Sequence, residues 1–309
     1  MRIKIYVMLL FVSIFIGAAF NLAAYAVHYF SAPAAAAWRF GLAAFLILIL
    51  LLLKERMNAA AFKSNWRMFV LLGILGVFGF NALFFEGMKT TSPLNGSLIM
   101  ATNPLVSALL ARYIIKDTLT ARQVTGILFS LLGVLLVITH GSWQVIHTLS
   151  FSNGDLLIVG GNLCWALYAV LNRRFIRGSS SLATTAYTMT VGAVCLLLFS
   201  QSVPSLSPGS GIPAAAWGAI AFMAVFTSVL GYLWWNEGIA EIGVSKTSIF
   251  FNFVPLVTML LSLISGTPVT FVQLIGTAMV ISGVVIASAL SRNVSRILVP
   301  FLTDKRSPQ

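Results

Sequence analysis

Apolar runs as long as a membrane is thick recur through this chain, and they constrain its fold more than any other feature. "IYVMLLFVSIFIGAAFNLAAYAV" runs from Ile5 to Val27 and "AAAAWRFGLAAFLILILLLL" from Ala34 to Leu53. A helix needs about 20 such residues to cross a hydrocarbon core about 30 Å thick. The period-two alternation of a membrane barrel is absent. Of the 309 residues 59% are hydrophobic and 8% charged, whereas a soluble domain carries about a quarter charged residues. The chain is therefore read as an all-α membrane protein. Breaks at charges, Pro and Gly predict ten transmembrane helices, over 5–27, 33–53, 68–87, 92–115, 121–139, 154–173, 182–200, 214–236, 245–265 and 270–290. The connections are too short for an inserted soluble domain. Arg2, Lys4 and the "AYA" ending at Ala26 imitate a secretory signal, but the first span is needed as a working helix of the repeat described below.

Basic residues orient the bundle, because Lys and Arg concentrate on the cytoplasmic side. With the N-terminus inside, all 19 Lys and Arg except Lys89 and Arg39 fall on inner segments, which leaves 17. They are Arg2, Lys4, Lys54, Arg56, Lys63, Arg67, Arg112, Lys116, Arg122, Arg173, Arg174, Arg177, Lys246, Arg292, Arg296, Lys305 and Arg306. Both termini are then cytoplasmic, residues 291–309 form a cytoplasmic tail, and the location is a cell inner membrane. The same bias, with attraction to anionic lipid, accounts for the net charge of +12. The charge is spread thinly over successive loops, so no nucleic-acid partner is expected. Cys164 and Cys195 lie in apolar stretches without metal-ligand spacing and read as core residues.

Two passages of the sequence correspond. "FFEGMKTTSPLNGSLIMATNPLVSALL" from Phe84 and "WNEGIAEIGVSKTSIFFNFVPLVTMLL" from Trp235 start 151 positions apart. At that shift Glu86, Gly87, Ser97, Pro104, Leu105, Val106, Leu109 and Leu110 meet Glu237, Gly238, Ser248, Pro255, Leu256, Val257, Leu260 and Leu261. After a one-residue deletion Thr120, Gln123, Gly126, Gly133 and Val134 meet Thr270, Gln273, Gly276, Gly283 and Val284. Each repeat, 5–139 and 154–290, holds five spans. Five is odd, so the second copy enters the membrane from the opposite side, the inverted arrangement of many secondary transporters.

With "NEGIAEIGVSKTSIFFNFVPLVTMLLS" from Asn236, "QLIGTAMVISGVVI" from Gln273, "NLCWALYAVLNRRF" from Asn162 and their first-half equivalents, the chain resembles the ten-helix EamA-type transporters of the drug/metabolite transporter superfamily. The resemblance covers residues 10 to 290. It implies two five-helix units, a central substrate cavity, cytoplasmic termini and a small-molecule substrate, with export of amino acids or related compounds. One departure is visible: the family often has Gly-Glu before its fifth and tenth helices, where this chain has Lys116-Asp117 and Gly266-Thr267.

Substrate should bind near the membrane midplane. At that depth lie Asn81, Thr102, Asn103, Asn162, Trp165, Tyr168 and Asn252, with Asn162, Trp165 and Tyr168 on one helix face. They are expected to line a cavity, with interhelical hydrogen bonding as the alternative for part of the set. Arg39 either snorkels to the headgroups or pairs with an anionic group of the substrate or with Glu86. Glu86 and Glu237 lie near opposite interfaces and read as helix-end and gate residues, with proton coupling as the sharper alternative. Pro104 and Pro255 are expected to kink the fourth and ninth helices. Gly126, Ser130 and Gly133, and likewise Gly276, Gly283 and Ala287, give faces for close helix contact.

"GVSKTS" from Gly243 lacks the glycines of a phosphate loop. His28, His140 and His147 have no catalytic partners at recognisable spacing, and neither an enzyme nor a cofactor or metal site is expected. The reading is a secondary transporter, monomeric or homodimeric, in contact with lipid. Its alternatives are an importer or exchanger of another solute, and a membrane receptor or assembly protein without turnover.

Overall fold

Backbone polar groups in lipid must be satisfied within the chain, and every element that the computed structural model describes is accordingly helical. The described residues are 2–55, 59–116, 121–138, 141, 152–201, 211–266 and 269–288. Arg56, Asp117, Thr120, His140, His147, Thr267 and the predicted tail 291–309 lie outside them.

The helices are α1 (Arg2–Ala26), α2 (Ala32–Lys54), α3 (Ala59–Leu72, continued by Gly73–Gly79 and Phe80–Gly87), α4 (Pro93–Met100 and Asn103–Ile114) and α5 (Ala121–Ile138). The second half follows with α6 (Asn153–Phe175), α7 (Ser181–Gln201), α8 (Ala214–Phe222, Met223–Leu230 and Gly231–Ile242), α9 (Val244–Ser248, Ile249–Phe253 and Val254–Ile264) and α10 (Phe271–Ser288). Among the described residues eight helical stretches, α1 to α4 and α6 to α9, are long and apolar enough to cross a membrane. The helices α5 and α10 are shorter, at 18 residues each. Large apolar side chains such as Phe45, Leu53, Leu198 and Ile264 are exposed on the outside, as a lipid-facing surface requires.

Two predicted boundaries move. The start of α3 comes nine residues before position 68, because "FKSNWR" is an amphipathic turn and not a loop. Its Asn65 is buried and donates to the Arg177 carbonyl at 2.9 Å, while Lys63, Ser64 and Arg67 stay exposed. The end of α8 lies six residues past 236, since Asn236 is buried with side-chain partners and the helix stops only at Gly243, at φ 85.

The halves share irregularities at matching positions. Wide π-helical turns sit at Gly73–Gly79 in α3 and Met223–Leu230 in α8. Such turns leave carbonyls short of helical partners, and the Gly76 carbonyl accepts from the Tyr232 hydroxyl at 2.9 Å. Both α4 and α9 are interrupted before their prolines, at Ala101–Thr102 and through the tight turn Ile249–Phe253. Pro104 and Pro255 therefore stand in the first turn of a new helical segment, where a missing N–H leaves no gap. They start half-helices and do not bend continuous ones. The same two helices run out on left-handed residues, Lys116 (φ 64) and Gly266 (φ 78).

Close packing rests on small residues. A methyl on Gly133 of α5 would sit 2.8 Å from Met279 Cβ and 2.9 Å from the Gly276 carbonyl of α10. Gly126, Gly276 and Gly283 are buried as well, while the side chains of Ser130 and Ala287 lie outside the described ones. Gly76 of α3 lies against the Tyr168 ring, and Gly192 of α7 against Val77.

A central aromatic cavity with one buried arginine

Helices from both halves surround a small cavity of about 30 Å3. From the first half come Ile16, Ala19 and Phe20 of α1, Arg39 of α2, Phe80 and Phe84 of α3, and Met100 of α4. The second half supplies Trp165 of α6, Thr227, Gly231 and Tyr232 of α8, and Phe251 of α9. Trp165 lies 12 residues into the 23-residue α6, about 18 Å along a helix about 35 Å long. Its ring crosses Tyr232 edge to face at 4.8 Å, tilts against Phe80 at 5.2 Å and stacks on Tyr168 at 5.5 Å. Edge-to-face and offset contacts are the favoured arrangements of aromatic quadrupoles, so the wall is built of rings that hold one another.

Arg39 is 2% exposed. Its Nε donates to Ser228 Oγ at 2.8 Å, and its guanidinium lies over Phe40 at 4.9 Å and Phe85 at 5.8 Å. It neither reaches the headgroups nor pairs with Glu86. The Glu86 carboxylate instead meets Lys89 Nζ at 2.7 Å, with both side chains about half exposed. Helices α3 and α8 close over Arg39 and supply rings and a hydroxyl in place of a carboxylate. Glu237 is half-buried near the end of α8.

Of the mid-depth residues, Trp165 is in the wall and the others are not. Asn103 Nδ2 donates to Asn162 Oδ1 at 2.7 Å, and Asn162 Nδ2 donates to Thr102 Oγ1 at 2.9 Å and to the Ile99 carbonyl at 3.1 Å. These side chains bind the break in α4 to α6, and the amides satisfy each other as buried polar groups must. Asn81 Nδ2 donates to the Val77 carbonyl at 2.8 Å and the Tyr232 hydroxyl at 3.0 Å. Asn252 is buried on the tight turn of α9 beside Phe251, its Oδ1 without a partner among the described residues.

Tyr168 belongs to a seam beside the cavity. Asn236 Nδ2 donates to the Tyr168 hydroxyl at 2.7 Å and to Thr185 Oγ1 at 2.9 Å, and Asn172 Nδ2 donates to Asn236 Oδ1 at 2.9 Å. Beyond it lies a polar cleft lined by Asn172, Arg173, Ser179, Ser181, Thr184 and Asn236. At the opposite end of α6 the Thr91 hydroxyl meets buried Asp155, and Ser152 Oγ donates to the Thr90 carbonyl at 3.0 Å. Hydrogen-bonded contacts thus tie α6 to its neighbours near both of its ends.

Sequence reasoning missed Tyr232, Asn236, Phe251 and the three Phe residues of the wall. Tyr232 was within reach, because it stands 151 positions after Asn81, and these repeat-equivalent residues touch. Asn236 was hidden by being read as the last residue of the predicted helix 214–236, at its interface end.

The pattern of the EamA-like transporter family matches the chain twice, at residues 3–139 and 152–289. The uncharacterized transporter YyaM of Bacillus subtilis is 57% identical over 291 residues, covering 94% of this chain and 95% of that protein. The aromatic amino acid exporter YddG of Ancylobacter novellus is 22% identical over 243 residues, covering 78% and 82%. A solved crystal structure has the same fold, with a TM-score of 0.69 at 19% identity over 93% of this chain and 97% of that one. With the family pattern over both halves and a transporter more than half identical along almost its full length, the chain belongs to the EamA-like transporter family and is a multi-pass membrane transporter.

Proposed function

We propose that this transporter exports a small organic metabolite, an amino acid or a related compound, from the cytoplasm by alternating access through the central cavity. The observation that carries the reading is a central cavity walled by residues of both repeats, with Trp165 at the middle of α6. Repeats 5–139 and 154–290 are the working units, with both termini and the tail on the cytoplasmic side of the inner membrane. The Tyr168–Asn236–Thr185 seam is the inner gate, and the Thr91–Asp155 and Ser152–Thr90 contacts are the outer one. Trp165 and Arg39 contact solute, and Glu86 and Glu237 serve helix ends. The export direction is supported by the distant relative named an exporter.

The test is counterflow of labelled aromatic and aliphatic amino acids and their keto acids in proteoliposomes. Protein-dependent flux is expected, with loss of flux and retention of folded protein in Trp165→Ala. Binding without any movement of solute would identify a receptor and overturn the reading.

A further inference from the structure

We infer that the solute is an organic monoanion with a flat apolar body, an arylcarboxylate in its simplest form, received by the Arg39 guanidinium and the Trp165 indole N–H. This rests on the cavity being the transport site. A guanidinium has five N–H donors. In Arg39 the Nε–H is used by Ser228, and among the described residues no side chain or carbonyl takes the four on the terminal nitrogens. No Asp or Glu is among the residues that line the cavity, so among the described residues the cation has no carboxylate beside it. A buried charge without a counter-ion is costly for a fold, and an ionisable group kept inside a membrane bundle marks a substrate path. Trp165, in the same wall, has its Nε1 buried and also without a partner. Two unused donors, one charged, thus belong to a cavity whose other walls are mainly rings.

A carboxylate matches the fork of a guanidinium in two parallel hydrogen bonds. The rings of Phe80, Trp165, Tyr232 and Phe251 suit a planar body. An α-ammonium finds no carboxylate in the wall and is repelled by Arg39, so an arylcarboxylate without an amino group is preferred over the zwitterionic amino acid of the same skeleton. Translocation then carries one negative charge. An inside-negative potential drives that charge outward, worth about fifty-fold in concentration ratio per 100 mV, and export needs no coupling ion.

The experiment titrates the purified full-length protein with phenylpyruvate, benzoate, phenylalanine and phenethylamine, reading tryptophan fluorescence and thermal stability. In parallel, vesicles with an imposed potassium–valinomycin potential report flux. The arylcarboxylates should bind tightest and their flux should reverse with the sign of the potential. Arg39→Gln should weaken their binding about ten- to a hundredfold, and Arg39→Lys, which keeps the charge and loses the fork, should fall between. If Arg39→Gln does not fold, the Lys variant and the ligand ranking decide. Tighter binding of phenylalanine or phenethylamine, failure of both arylcarboxylates to bind, or unchanged arylcarboxylate affinity in the Arg39 variants that fold overturns the inference. Flux of phenylalanine alone would sink the monoanion while leaving transport intact. Arylcarboxylate binding without flux would sink transport while leaving the chemistry of the site.

Discussion

Asn236 joins three side chains of two other helices, Tyr168 and Asn172 of α6 and Thr185 of α7. Replacing it by Leu, of similar volume, removes the bonds to Tyr168 and Asn172 and leaves Thr185 its bond to the Ser181 carbonyl. Each group left dry costs about 1–3 kcal/mol, less where water enters. Asn236→Leu is therefore expected to lower the melting temperature in detergent and to raise solute leak through proteoliposomes, while Asn236→Gln leaks less. A variant that melts and leaks like the parent would show the seam to be ordinary packing. The depth rule that singles out Trp165 also gathers Asn103 and Asn162, and only the fold reveals that these two consume each other's hydrogen bonds. Depth is a property of one helix and is legible in the sequence. Pairing between helices is not, and for the same reason Arg39 could not be assigned to Ser228 beforehand.

Helices that depart from regularity do so where the neighbouring element demands it. The π-helical turn of α3 lets Gly76 lie against the Tyr168 ring, and a β-carbon there would collide with that ring. Gly218, in the regular first part of α8, has nothing among the described residues within 4 Å of the place a β-carbon would take. Gly76→Ala should destabilise by about 1–3 kcal/mol through overpacking, and Gly218→Ala should be neutral or stabilising by up to about 1 kcal/mol through helix propensity. Thermal unfolding of the two variants checks this, and equal melting temperatures would refute it. The ends of most helices were readable from apolar runs bounded by charge, Pro and Gly. Those of α3 and α8 were not, because Asn65 looks like a loop residue and Asn236 like a helix end until their distant partners, Arg177 and Tyr168, are in place. The paired prolines pointed to irregular helices at the right places, yet sequence does not distinguish a kink from a break with a fresh start.

Over the whole molecule, the inverted repeat lets one unit occupy two conformations at once. Leu94 and Ser245 are repeat equivalents, 151 positions apart at the starts of α4 and α9. Leu94 is 3% exposed, whereas Ser245 is exposed. The helices they begin also differ, with a two-residue break in α4 and a five-residue tight turn in α9. If the halves trade conformations during transport, these environments trade too, and the cavity opens to the other side. The bias of Lys and Arg, 17 on one side against Lys89 on the other, predicts Leu94 outside and Ser245 inside. A reporter fused after Gln309 should accordingly be active only as a cytoplasmic fusion, and periplasmic activity would reverse the sides. Cysteines introduced as Leu94→Cys and Ser245→Cys should then respond in opposite senses to an impermeant maleimide. Saturating external solute should change labelling at one position upward and at the other downward, and internal solute should invert the pattern. If both positions become protected, or both reactive, whichever side holds the solute, the two halves do not exchange states, and the symmetry records only how the chain arose.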